Sequence, residues 1–166
     1  MLRISAFALL LTASTASADL DLRFDEGAPK DRFSISNKGS CPLPAMEITL
    51  DLGTAPVGLI FDVTSRGAGV QVYQPFELVA GAEHLSRLPV VVDGDTAIVL
   101  ELTGLGVGQS VAFTIDVDDT GGASETIISG TEIAGATVRA ALSDQLLVAI
   151  VGSDATATIP LAACTS

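Results

Sequence analysis

The chain has 166 residues, and its 8 Lys and Arg residues stand against 20 Asp and Glu residues, for a net charge of −12. This length fits a single domain. A surface this acidic repels nucleic acid and anionic lipid and attracts cations, so the composition excludes nucleic acid as a partner class.

Residues 1–18 predict a signal peptide. Arg3 gives a positive start, residues 4–13 form an apolar run, and Ala16-Ser17-Ala18 has the small-residue pattern of a cleavage site. The apolar run is too short to span a bilayer, which takes about 20 residues. We therefore expect an exported protein, periplasmic or secreted, with no membrane span. Its mature domain would cover residues 19–166, with 7 basic and 20 acidic side chains and a charge of −13.

Alternating apolar and polar residues predict β-strands along most of the mature chain. In chain order, the segments are 20–24, 32–36, 46–52, 58–63, 70–79, 89–92, 96–102, 110–118, 126–129, 132–142, 146–151 and 156–162. Only residues 81–89 have a local helical pattern, of a turn or two at most. Asp93-Gly94-Asp95 is typical of a tight turn.

These short strands, with no helical crossover units between them, predict an all-β fold. We expect roughly nine to eleven strands in a single antiparallel β-sandwich of the Ig-like or Greek-key type. Four phenylalanines occupy apolar strand positions and are predicted to lie in the core: Phe24, Phe33, Phe61 and Phe113.

The two cysteines, Cys41 and Cys164, lie near the two ends of the mature chain. An even pair in an exported protein predicts a disulfide, and the alternative is two unpaired thiols. A bridge of this span would contribute about 4–5 kcal/mol on the loop-entropy description, and it would hold the C-terminus.

The chain lacks the residues that common catalytic sites need. Its only histidine is His84, so Ser-His-Asp and Cys-His arrangements have a single candidate base. There is no Gly-x-Ser-x-Gly motif, and one histidine with two paired cysteines cannot supply four zinc ligands. We therefore predict that the protein is not an enzyme.

The segment FTIDVDDTGG at residues 113–122 is the strongest candidate for a site. Asp116 and Asp118 would share one face of a strand, whereas Asp119 would point to the other. The order D-x-D-x-T-G matches the first half of an EF-hand-like loop, so these three carboxylates are candidate Ca²⁺ ligands. The bidentate Glu expected at the twelfth position is Ile127, which leaves Glu132 as a candidate ligand from a distance. The alternative is a plain strand-to-strand turn.

Other carboxylates are candidates of a weaker kind. Asp25-Glu26-Gly27 and Asp93-Gly94-Asp95 are most simply turns. Asp62 follows the apolar run GLIF, and Glu77 lies beside another apolar segment. Carboxylates beside buried strands usually have a structural reason, of which a strand end that reaches solvent is the simplest.

Three segments together resemble a known family: GLIFDVTSRGAGVQVYQPFELVAG (58–81), FTIDVDDTGG (113–122) and SGTEIAGATVR (129–139). They resemble small exported bacterial proteins of the aggregation factor core type, named for similarity to sponge proteoglycan cores used in calcium-dependent cell adhesion. The resemblance covers nearly the whole mature chain. It implies an exported β-sandwich without catalysis and with calcium use.

Three functional hypotheses follow from these observations. The first is a non-enzymatic interaction or adhesion-type β-sandwich that uses Ca²⁺ in association with a cell-surface or matrix component, or with itself. The second is a metal-free periplasmic binding or inhibitor module. The third is a hydrolase of unrecognised type.

Overall fold

The computed structural model describes residues 18–66, 73–120 and 127–161. In these ranges the chain forms eleven β-strands and two short 3-10 helical turns, Leu52–Thr54 and Ala82–His84. The strands are β1 (Ala18–Asp25), β2 (Asp31–Asn37), β3 (Met46–Asp51), β4 (Leu59–Phe61), β5 (Glu77–Ala80), β6 (Ala97–Leu102), β7 (Ser110–Ile115), β8 (Val117–Asp119), β9 (Thr137–Ala141), β10 (Leu146–Ile150) and β11 (Thr156–Leu161).

The strands form three antiparallel sheets. One has the order β11-β1-β2-β7-β5, the second has the order β10-β9-β3-β6, and β4 pairs with β8 in a two-stranded ribbon. Apolar side chains from the two larger sheets belong to one buried cluster. The predicted all-β antiparallel sandwich is therefore confirmed.

The core follows directly from strand alternation. Buried and half-buried residues alternate without a break along β2, which turns Phe33 and Ile35 inward. The ring centroid of Phe33 lies 5.1 Å from that of Phe24 and 5.2 Å from that of Phe113. Phe61 is also fully buried, so all four phenylalanines predicted for the core lie in it.

Several predicted boundaries are wrong. Residues 89–92 and the described part of 126–129 are not strands, and β9 begins only at Thr137. The predicted strand 110–118 is interrupted at Asp116 and resumes as β8. The helical pattern at 81–89 gives the single turn Ala82–His84. In each case, pairing or packing with other segments, which periodicity does not report, decides the outcome.

Some predictions fall on residues outside the described ranges. The predicted signal peptide lies there apart from Ala18, where β1 begins. Cys164 lies there too, so its predicted disulfide with Cys41 stays a prediction. Across the described residues, no helix has the length and hydropathy needed to cross a membrane.

Replacing Phe33 by alanine should lower the free energy of unfolding by about 3–5 kcal/mol, because it leaves a cavity between two aromatic rings. Chemical denaturation followed by circular dichroism measures the change. Val90→Ala is the control, since Val90 is 87% exposed. Equal effects of the two substitutions would contradict this assignment of the core.

Candidate metal centre

Three aspartates lie together on the β4–β8 ribbon. Ile60 pairs with Asp118 and Phe61 with Val117, so the next pair in register is Asp62 with Asp116. A backbone hydrogen bond of 3.1 Å from Asp62 N to Asp116 O confirms this pairing. Directly opposed residues share a face of an antiparallel pair, as do residues two apart along a strand. Asp62, Asp116 and Asp118 therefore share one face, which we call the carboxylate face.

The other face of the ribbon belongs to the hydrophobic core. Leu59, Phe61 and Val117 lie on it and are buried in the main apolar cluster. The carboxylate face is nevertheless almost as inaccessible, with Asp62 1%, Asp116 6% and Asp118 3% exposed. Burying a carboxylate is costly unless it is paired, hydrogen-bonded or neutralised, so each of these three needs an explanation.

Asp62 is the least satisfied of the three. In the described part of the chain, neither of its carboxylate oxygens has a hydrogen bond of ordinary geometry, and the nearby backbone N–H of Thr64 lowers its pKa only in part. The carboxyl of Asp93 lies on the next two residues of the chain, since Val63 N and Thr64 N both donate to its Oδ1. Burial first, and then the carboxyl of Asp93 and the charge of Asp118, raise the pKa of Asp62 to about 6.

Asp93 is held in place from the backbone. Its Oδ1 accepts hydrogen bonds from Val63 N and Thr64 N, both at 2.9 Å. The tight turn that carries it is tied to β4, because Gly94 N donates to Phe61 O and Phe61 N donates to Asp95 O. The predicted turn is thus present, and it also delivers a carboxylate to the side of Asp62.

Asp116 and Asp31 form the inner part of this acidic region. Burial first, and then the charges of Asp31, Asp62 and Asp118, raise the pKa of Asp116 to about 7. Asp31 accepts hydrogen bonds from Gly27 N at 3.0 Å and Val117 N at 3.2 Å. Burial still raises the pKa of Asp31 to about 7, because the hydrogen bonds only partly offset it.

The predicted ligands do not all come together. Asp116 and Asp118 share the carboxylate face, as expected. Asp119 pairs with Leu59 and lies on the opposite side of the strand. Glu132 accepts hydrogen bonds from the backbone N and the Oγ of Ser129, at 2.7 and 2.6 Å, which lower its pKa. Glu132 thus stabilises the turn in which it lies.

Asp118 and Asp119 are also not part of a turn, since both belong to β8. The residues 121–126 that follow lie outside the described ranges. Among residues 18–66, 73–120 and 127–161, no group of three or more acidic, histidine or cysteine side chains is arranged to hold a metal ion.

Sequence reasoning singled out Asp62 but missed its partners. Asp62 could be identified because it is a carboxylate that directly follows an apolar segment predicted to be a buried strand. Asp93 had only a turn signature, and nothing marked Asp31. The pairing of β4 with β8 across more than fifty residues brings these groups together, and no local pattern encodes it.

The other polar residues considered from the sequence lie elsewhere. His84 Nε2 is 3.4 Å from Glu83 Oε1 in the turn Ala82–His84. Glu77 forms an exposed ion pair with Lys30. Neither residue takes part in the pairing that builds the carboxylate face.

Two comparisons of the chain with known proteins found no match. No family model matches the chain, and no curated protein matches it.

Asp62→Asn should stabilise the protein at pH 8 in the presence of a chelator. In the unfolded chain an aspartate ionises near pH 4, whereas Asp62 in the folded chain ionises near pH 6. Between these values the folded state holds the proton more tightly, so the stability contributed by the protonated group is lost as pH rises. The variant should gain about 1–3 kcal/mol over the wild type above pH 7 and almost nothing at pH 4.

Urea denaturation across pH 4–8 measures this difference between the two proteins. Taking the difference cancels the titration of groups that do not interact with position 62, and the remaining difference includes the response of Asp116, whose pKa the charge of Asp62 helps to raise. Asp144→Asn is the control, because Asp144 is exposed. A gain that is the same at every pH would show that ionisation of Asp62 is not responsible.

Proposed function

We propose that the protein is an exported, non-catalytic interaction domain of the adhesion type, and that it associates with a second copy of itself through the edge strand β10. The observation that carries the proposal is the exposed apolar side of this strand. Leu146, Val148 and Ile150 alternate with less exposed residues and are 62%, 53% and 67% exposed. Three large apolar side chains in a row on a free surface are typical of a contact surface.

β10 lacks the features that normally protect an edge strand. It pairs with β9 on one side and ends the sheet on the other. It carries no charge, proline or recorded irregularity. The other edges differ: β11 contains Pro160, β5 has an irregular register, and β6 carries Glu101 paired with Arg87. Among the edges of the two larger sheets in the described residues, β10 is thus the one open to pairing.

The sequence of β10 suits pairing with itself. In an antiparallel arrangement centred on Val148, Leu146 would face Ile150 of the second copy, and Leu147 would face Ala149. All five contacts are apolar, and each exposed side chain meets another exposed one. Asp144, in the turn before β10, would face Gly152, so this register brings no two acidic residues opposite each other.

Charge also favours this edge over others in a strongly acidic protein. The nearest acidic residues on the same face are Glu47 and Asp51, which lie on β3, two strands inward. With strands about 4.8 Å apart, their distance to the equivalent strand of the second copy is about 24 Å. This exceeds the Debye length of about 8 Å at physiological ionic strength. Repulsion between the copies is therefore weakest along β10.

We further propose that Ca²⁺ favours the association. Two copies, each at −12 over the whole chain, repel each other at long range. Bound divalent cations would reduce this charge. The resemblance noted in the sequence points to calcium-dependent adhesion as well, and it gives the same expectation.

Val148→Lys should convert a self-associating protein into a monomer, because it places two ammonium groups next to each other at the centre of the contact. Analytical ultracentrifugation over a range of concentrations, with Ca²⁺ and with chelator, measures the change. Val90→Lys is the control, since it introduces the same charge at an exposed position outside any strand. The control should associate like the wild type.

A wild type that stays monomeric at all concentrations, with or without Ca²⁺, would contradict the proposal. Unchanged association of Val148→Lys would contradict the assignment to β10. A monomer that captures one stoichiometric partner equally well in chelator would support the metal-free binding module instead.

A further inference from the structure

We propose that Asp62 and Asp93 together hold a divalent cation of the Ca²⁺ class, with Asp118 as the next carboxylate on the same face. This site differs from the loop expected from the sequence, because it contains neither Asp119 nor Glu132. Its two main ligands come from segments about thirty residues apart, the end of β4 and the turn before β6. The inference deepens the proposed function, since it names the site through which Ca²⁺ would act.

The charge of the buried Asp62 carboxyl, close to that of Asp93, calls for a proton or a cation to offset it. Two ionised carboxylates close to each other repel, and a proton or a cation between them relieves this repulsion. Asp62 is 1% exposed, and neither of its oxygens has a hydrogen-bond partner in the described residues. No protein hydrogen bond of ordinary geometry therefore offsets its charge in the described residues, and the backbone N–H of Thr64 lowers its pKa only in part.

Hydrogen bonds hold the site in place before any ion binds. Val63 N and Thr64 N both donate to Oδ1 of Asp93. The turn of Asp93 and the strand before Asp62 are joined by the backbone hydrogen bonds of Phe61. These bonds hold the carboxyl of Asp93 and the backbone before Asp62 in a fixed relation.

The chemistry of the ligands indicates which kind of cation would bind. Carboxylate oxygens are hard ligands, and no cysteine or histidine lies in the pair, which favours Ca²⁺ or Mg²⁺ over zinc. Ca²⁺ accepts irregular geometry and completes its coordination with backbone oxygens and water, whereas Mg²⁺ demands a near-ideal octahedron. No three acidic side chains converge among the described residues, so backbone oxygens and water would complete the coordination, and irregular surroundings of this kind favour Ca²⁺ over Mg²⁺. Asp93 is only half-buried, so it gives the ion a route from solvent.

The test uses CaCl₂ as the probe, with chelator-treated protein and MgCl₂ and NaCl at matched ionic strength for comparison. We expect Ca²⁺ to raise the melting temperature of the wild type and to give a saturable calorimetric signal. Asp62→Asn should bind Ca²⁺ about tenfold more weakly or not at all. The same variant should melt higher than the wild type in chelator, which excludes misfolding as the cause.

Asp144→Asn is the matched control and should bind like the wild type. All measurements are repeated in the Val148→Lys background, so that binding is seen without self-association. Saturable Ca²⁺ binding there supports the site even if the wild type is monomeric. Failure of Ca²⁺ to bind, or equal binding by Asp62→Asn, would overturn the site even if β10 dimerises. If Asp62→Asn is stabilising in chelator and Ca²⁺ changes neither the melting temperature nor the calorimetric signal of the wild type, a shared proton neutralises Asp62 and Asp93. The cation is then excluded.

Discussion

The structure depends on a ribbon with two buried faces of opposite character. One face of the β4–β8 pair completes the hydrophobic core through Leu59, Phe61 and Val117, and the other presents three carboxylates. Because strand side chains alternate strictly, the chain cannot bury the first face without fixing the second. The apolar side stabilises the fold, and part of that stability offsets the cost of the buried acids. Such an imbalance is typical of a site kept for a purpose other than stability.

Two kinds of buried acid are present, and they are stabilised differently. Asp31 has structural partners, since it accepts hydrogen bonds from Gly27 N and Val117 N and so joins the start of β2 to the ribbon. Asp62 has no such donors in the described residues. Hydrogen bonds therefore account for part of the burial of Asp31, whose pKa is still raised to about 7, whereas Asp62 lacks such bonds in the described residues. The distinction shows why a count of acidic residues is a poor guide to a site, and why hydrogen-bond satisfaction is a better one.

The fold class could be predicted from the sequence because alternation is a local property. Segment 46–52 already shows which side chains turn inward, and the same alternation in segments 20–24, 32–36 and 110–118 places Phe24, Phe33 and Phe113 in the core. Sheet order could not be predicted, because the pairing of β1 with β11 and of β4 with β8 joins distant segments. The site could not be predicted in full for the same reason, because its residues come from distant segments. Asp116 and Asp118 were identified from their spacing, but Asp93 is brought beside residues 62–64 only by the turn that is hydrogen-bonded to Phe61.

The two proposed surfaces are physically separate, and this limits how calcium can influence association. No residue of the carboxylate face lies on β9 or β10. A cation at Asp62 therefore cannot contribute ligands or contacts to a β10–β10 interface, and its effect there must act through net charge. Effects of that kind are screened over about 8 Å at physiological ionic strength, and monovalent salt reproduces them. Local stabilisation of the ribbon, in contrast, depends on the ion that the two carboxyls select, and added NaCl does not replace it.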